Sequence, residues 1–285
     1  MRLFILLVDC RLYYINRHDD PFLAETQQRG FTAPAMPTFC FEPDAAYLAG
    51  LSPRQSRGGA HYYFGTRDNP FAGLRWLPDW LEQGPEWSSK ILRYGLTRWI
   101  RWCSGRPDAT MARIPFQALP CFTPARSTAL DSEYAFGAPS LFDALRAAGK
   151  SWFINVHPAH SVRADDVVRR VAGELRQPVD LVFLHIGDLD AAGHRYGPDS
   201  TQRRAALQRV DRALSALHSD ISTRFGEPDL LILGDHGMVQ VTSHLSVSDS
   251  LHRLPLAPGR DYHCFLDSTM ARFWFTTPAD RKSVV

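Results

Sequence analysis

Two short segments hold the side chains of this chain best suited to metal chemistry: Asp190-Ala191-Ala192-Gly193-His194 and Gly234-Asp235-His236-Gly237-Met238. Each joins a carboxylate to an imidazole. Oxygen and nitrogen donors together suit Zn²⁺ or Mn²⁺, and two such pairs suggest two cations. A single Asp–His pair is ordinarily a solvated loop, whereas two pairs, each expected at the end of a buried strand, favour ligation. The glycine in each segment is expected to let the backbone turn tightly beside the donors.

The flanking residues supply the strands. Val179 to Ile186 and Leu230 to Leu233 are short apolar runs, the first with β-branched and aromatic members. Ligands in open α/β sheets gather outside the carboxyl ends of strands, so both pairs are expected where loops converge. Helices alternate with these strands. Ser140 is placed to cap a helix with Asp143 three residues on and Gly149 at its end, followed by a strand from Trp152 to Val156. Ala164 to Arg176 puts Val167, Val168, Val171 and Leu175 on one face, and Leu207, Val210, Leu214, Leu217 and Ile221 recur at helical spacing. This alternation predicts crossover units and a mainly parallel sheet.

Bulk properties exclude several classes. The 285 residues can bury a sizeable core, and a net charge of +2 gives no argument for nucleic acid. No apolar run is long enough for a membrane span, and Leu3 to Val8, followed at once by Asp9, reads as a first core strand rather than a signal peptide. Five scattered cysteines form no disulfide framework, which points to a reducing, cytoplasmic setting. Oligomeric state is not readable.

Residues from about 65 to 137 break the pattern. They hold Trp76, Trp80, Trp87, Trp99 and Trp102, interleaved with Arg75, Lys90, Arg93, Arg98, Arg101 and Arg106. Three readings stand: a surface helix pair packing its aromatic face on the core, a lid over the active site gripping an apolar or aromatic leaving group, or a peripheral membrane patch.

With four blocks in view, the chain resembles the type I phosphodiesterase/nucleotide pyrophosphatase family of the alkaline phosphatase superfamily. The blocks are Leu6-Leu7-Val8-Asp9; Pro37 to Asp44 leading into Leu48-Ala49-Gly50-Leu51-Ser52-Pro53; Asp190 to His194 with Tyr196-Gly197-Pro198; and Gly234 to Met238. The resemblance implies an α/β, alkaline-phosphatase-like three-layer sandwich with a mainly parallel central sheet, to which the chain adds an aromatic-rich helical insertion that contributes nothing to the match. The whole of 1–285 would be one catalytic domain, C-terminally incomplete, with about 65–137 as insertion or lid. It implies hydrolysis of a phosphodiester, pyrophosphate or phosphonate ester of a small molecule, through a covalent intermediate at two divalent metals, usually zinc, with manganese possible on the carboxylates. Asp9, Asp235 and His236 would hold one metal together with the nucleophile. Asp190, His194 and a further histidine would hold the other.

Two departures matter. The family nucleophile is a Thr or Ser ten residues before the glycine aligned with Gly50, and that position here is Cys40. Cys40 would give a thiophosphate intermediate, Thr38 would take the role if the register slips, or the site would bind metal without turnover. The last case is the alternative function: a non-catalytic, metal-binding member of the same fold serving as a binding module. The family's last histidine also lies much further along, and only His244, His252 and His263 follow Met238. A sulfatase reading of Cys40 fails because Pro43 stands three residues on, not two, and Asp44 follows in place of arginine. Asp188 is either a residue orienting a ligand or the cap of a turn, and Asp211 either bonds a ligand loop or is a solvated helix residue. Glu42 and Asp44 would be favoured by a helix N-terminus there.

Overall fold

The computed structural model describes residues 3–8, 19–34, 44–52, 55, 62–65, 69–74, 86–105, 116, 118–124, 129–157, 160–266 and 271–276. In chain order the elements are β1 (Leu3–Val8), α1 (Pro21–Arg29), α2 (Asp44–Ala49), β2 (Tyr62–Phe64), α3 (Glu86–Ser104), β3 (Phe122–Pro124), α4 (Leu141–Ala147) and β4 (Trp152–Asn155). They continue as α5 (Ala164–Glu174), β5 (Leu181–Ile186), α6 (Asp188–Tyr196), α7 (Thr201–Phe225), β6 (Asp229–Leu233), α8 (Val247–His252), β7 (Tyr262–Leu266) and β8 (Ala271–Phe275). Two compact units divide the chain: Met1–Ser56 with Ala129–Thr242, and Arg57–Thr128 with Ser243–Val285.

The first unit is built on a four-stranded parallel sheet in the order β4-β5-β1-β6. β1 lies between β5 and β6, with Leu3 opposite both Leu181 and Asp229. Side chains alternate across the strand. Phe4, Leu6 and Val8 face one layer, packing with Val182, Leu184 and Ile186 against Val167 and Val171 of α5 and Val210, Leu214 and Leu217 of α7. Ile5 and Leu7 face the other layer, where Leu181, Phe183, Leu48 of α2 and Phe142 of α4 meet them. Both faces are covered, which is why β1 reads LFILLV without a polar residue. The α/β class and parallel sheet predicted from the sequence are therefore present.

The helix that closes the second layer starts as its sequence dictates. Ser140 N–H donates to Asp143 Oδ2 (2.8 Å) and Asp143 N–H to Ser140 Oγ (3.3 Å), a reciprocal capping box. Gly149, at φ +65°, ends the turn that follows α4. The Ser140 bonds hold the Asp143 carboxyl below its usual range. A depressed folded-state pKa means that the stabilisation is complete above about pH 4 and is lost as pH falls through the folded value. Ser140→Ala is expected to cost about 1 kcal/mol in urea unfolding and to bring the Asp143 titration part of the way back up, as read by NMR, since the Ser140 N–H still donates to the carboxylate. An unchanged Asp143 titration would contradict this account of the cap.

The second unit has its own core. Phe71, Leu74, Ile100, Phe116, Leu119, Phe122 and Phe265 are buried together, with Leu92, Leu96 and Trp274 packed on them. Two antiparallel pairs, β2-β3 and β7-β8, frame it. Trp274 stacks on Phe64 at 5.1 Å and meets Phe122 edge-on at 5.3 Å. One expectation changes for the described side chains: α3 turns Leu92, Leu96 and Ile100 into this core, and Trp99 and Trp102 are 54% and 81% exposed. Trp76 and Trp80 lie outside the described residues. No helix among the described residues is long and apolar enough to cross a membrane.

Candidate metal centre

β5 ends at Ile186, and α6 begins two residues later at Asp188. The Asp190 to His194 pair therefore sits on a helix, not in a turn at the strand's end. Asp188 and Asp190 favour the helix N-terminus electrostatically, and the two alanines that follow are strong helix formers. The spacing of four residues puts both donors on one face. Asp190 Oδ1 lies 3.2 Å from His194 Nε2, with the Asp190 side chain one-quarter exposed and the imidazole largely in solvent.

The second pair follows β6. Asp235 is nearly buried and accepts the His236 N–H at 2.8 Å on Oδ1. His236 Nδ1 lies 3.0 Å from the Gly237 carbonyl oxygen. A carbonyl can only accept, so a hydrogen bond here requires the proton on Nδ1, and a neutral ring in that tautomer offers its lone pair at Nε2. Nε2 stands 3.6 Å from Asp235 Oδ2. An imidazole lone pair beside a carboxylate oxygen is a donor set that fits a divalent cation, with the backbone carbonyl fixing the tautomer.

Gly193 does not serve the role expected of it. Its φ is not in the left-handed region, and it lies within α6. A Cβ there would stand 2.6 Å from Met238 Sδ and 2.9 Å from Met238 Cε. The missing side chain lets Met238, two residues past His236, seat against the helix that carries Asp190 and His194. The contact joins the two donor segments. Gly193→Val is expected to push aside the Met238 thioether, the end of a flexible side chain, so its cost in urea unfolding is expected to stay within about 1 kcal/mol and to shrink when Met238→Ala is added in a double-mutant cycle. Additive effects would rule out the contact as the cause.

Two carboxylates flagged in the sequence do other work. Asp188 Oδ2 accepts the Ala164 N–H at 2.7 Å, capping α5, whose own N-cap residue, Arg163, makes no side-chain cap. Asp211, 2% exposed on α7, accepts the N–H groups of Phe22 (3.1 Å) and Leu23 (3.0 Å) at the start of α1. It is neither solvated nor bonded to a ligand loop. Asp44 opens α2, as the dipole argument expects.

Asp9, Thr38, Cys40 and Glu42 lie outside the described residues. Among the described residues no group of three or more His, Cys, Asp or Glu side chains is placed to hold one metal ion. His244, His252 and His263 belong to the second unit, where the His263 ring lies 5.2 Å from that of Phe64.

Comparison with known proteins gives a consistent picture. A family model described as type I phosphodiesterase / nucleotide pyrophosphatase matches residues 3–274. Human ectonucleotide pyrophosphatase/phosphodiesterase family member 7 is 36% identical over 87 residues, covering 30% of this chain and 19% of the relative. Yeast (Saccharomyces cerevisiae) GPI ethanolamine phosphate transferase 2 is 32% identical over 112 residues, 35% of this chain and 14% of that protein. The matches thus span a fifth or less of these relatives' lengths. In structure, murine ectonucleotide pyrophosphatase/phosphodiesterase 5 superimposes with a TM-score of 0.60 at 13% identity, over 100% of this chain and 70% of the other, and an inactive variant of it was solved in complex with AMP.

Proposed function

This chain belongs to the type I phosphodiesterase/nucleotide pyrophosphatase family, and from that premise we propose that it hydrolyses a phosphodiester or pyrophosphate ester of a small molecule at two divalent cations. The observation that carries the proposal is the pairing of Asp235 and His236 just after β6, with His236 Nε2 3.6 Å from Oδ2 of the nearly buried Asp235 carboxylate and Nδ1 3.0 Å from the Gly237 carbonyl oxygen. Asp9, Asp235 and His236 would hold one cation, and Asp190 and His194 the other. Asp9 follows Leu7 of β1 by two residues, as Asp235 follows Leu233 of β6, and Leu7 pairs with Leu233 across the sheet. Zinc suits this mixture of imidazole and carboxylate, and manganese the carboxylates. When bound, the cations would neutralise phosphoryl charge and lower the pKa of an attacking thiol, hydroxyl or water.

Cys40 would be the nucleophile. Its thiolate forms an S–P bond as the P–O bond to the leaving group breaks, and the leaving group takes the electron pair and a proton from water. Water then cleaves the S–P bond, delivering hydroxide to phosphorus and a proton to sulfur. Thr38 is the other candidate, through an O–P bond. The test is hydrolysis of bis-p-nitrophenyl phosphate by Cys40→Ala and Thr38→Ala. We expect Cys40→Ala to lose activity about a thousandfold or more, with Thr38→Ala within about threefold of the parent. The reverse pattern assigns the role to Thr38. Loss in neither variant would overturn the covalent route, and no turnover by the parent would favour the non-catalytic, metal-binding reading.

A further inference from the structure

The exposed side of α3 is unused by the phosphoesterase reading. Leu92, Leu96 and Ile100 of this helix pack into the second unit's core. On the opposite side Ile91, Tyr94 and Trp102 are 65%, 65% and 81% exposed. At about 100° per residue these three fall within an arc of about 80°. Arg98 lies in the same arc, its guanidinium 5.9 Å from the Tyr94 ring, and Lys90 and Arg101 border it. No carboxylate follows Glu86 in the helix.

A helix that is apolar toward its own core and again toward solvent has a second face to bury. Here that face mixes an indole, a phenol and an aliphatic side chain with cations of one sign. Aromatic rings of this kind settle at headgroup depth, and long basic side chains reach the phosphates while their stems stay among apolar groups. The helix's own charges on this side are all positive, which disfavours a second copy of the same face and complements an anionic surface. α3 is too short of apolar residues to span a bilayer.

We propose that α3 is an interfacial helix that seats the second unit on an anionic phospholipid surface, with Ile91, Tyr94 and Trp102 at the acyl boundary and Arg98 at the phosphates. The proposal is independent of the catalytic reading. The test is flotation of the full chain with vesicles of phosphatidylcholine, with and without about one-third phosphatidylglycerol. Binding to the anionic vesicles is expected to be at least about tenfold stronger, and to weaken on raising salt. Ile91→Ser combined with Trp102→Ser is expected to lower that binding about tenfold while the far-ultraviolet dichroism is unchanged. With brominated lipid, Trp102→Phe, a variant that keeps an aromatic side chain, is expected to remove the largest share of tryptophan quenching. Equal binding to both vesicle types would overturn the proposal, as would unchanged binding by the double variant. So would a parent chain that self-associates through this face, or that binds an acidic protein there and no vesicle.

Discussion

Asp235→Asn is expected to lower metal-dependent hydrolysis of bis-p-nitrophenyl phosphate about a thousandfold while leaving unfolding by urea within about 1 kcal/mol of the parent. The amide matches the carboxylate in shape and can still accept the His236 N–H on its oxygen, a bond of 2.8 Å in the parent. It loses the negative charge facing Nε2 of His236, the feature that suits this position to a cation. His236→Gln should fall in the same direction, since it removes the nitrogen donor held by Gly237. The check is kcat at saturating zinc together with bound metal per chain. A variant that retains activity within about tenfold, at full metal content, would remove Asp235 from the site.

The largest effect on stability is expected from Asp211→Ala, at about 3 kcal/mol. α1 begins without a side-chain cap from its own N-cap residue, Asp20. Asp211 supplies one from 188 residues away, accepting the N–H groups of Phe22 and Leu23 in a buried setting. Truncation leaves those donors buried without their acceptor and removes a negative charge from the helix N-terminus. Asp211→Asn keeps an acceptor and should cost roughly half as much. Urea unfolding of the two variants checks the ranking. An Asp211→Ala chain as stable as the parent would show that α1 does not depend on this cap.

Much of the architecture could be read from local pattern. Apolar runs such as LFILLV and LVFLHI form paired strands buried on both faces, and the heptad-like spacing from Leu207 to Ile221 forms α7. Ser140 with Asp143 is a capping signal complete within four residues, and it forms as read. What escaped local reading depends on chain segments far apart. Asp188 and Asp211 cap helices that begin 24 and 188–189 residues away, so no window around them shows a partner. The Asp190 segment looked like a turn because its glycine suggested one. Gly193 is instead a contact glycine, and only the seat of Met238 reveals that. The aromatic stretch misled for another reason. Tryptophan count says nothing of direction, and the face of α3 that meets the core carries leucine and isoleucine.

Cleavage of phosphoesters with two cations held by the Asp/His pairs is the activity proposed for this chain. It is tested most directly by stripping the purified chain of metal and following bis-p-nitrophenyl phosphate turnover as zinc is added back. The prediction is no turnover in the stripped chain and a rise that saturates near two equivalents. Turnover that survives stripping, or none at all once two equivalents are bound, would contradict it.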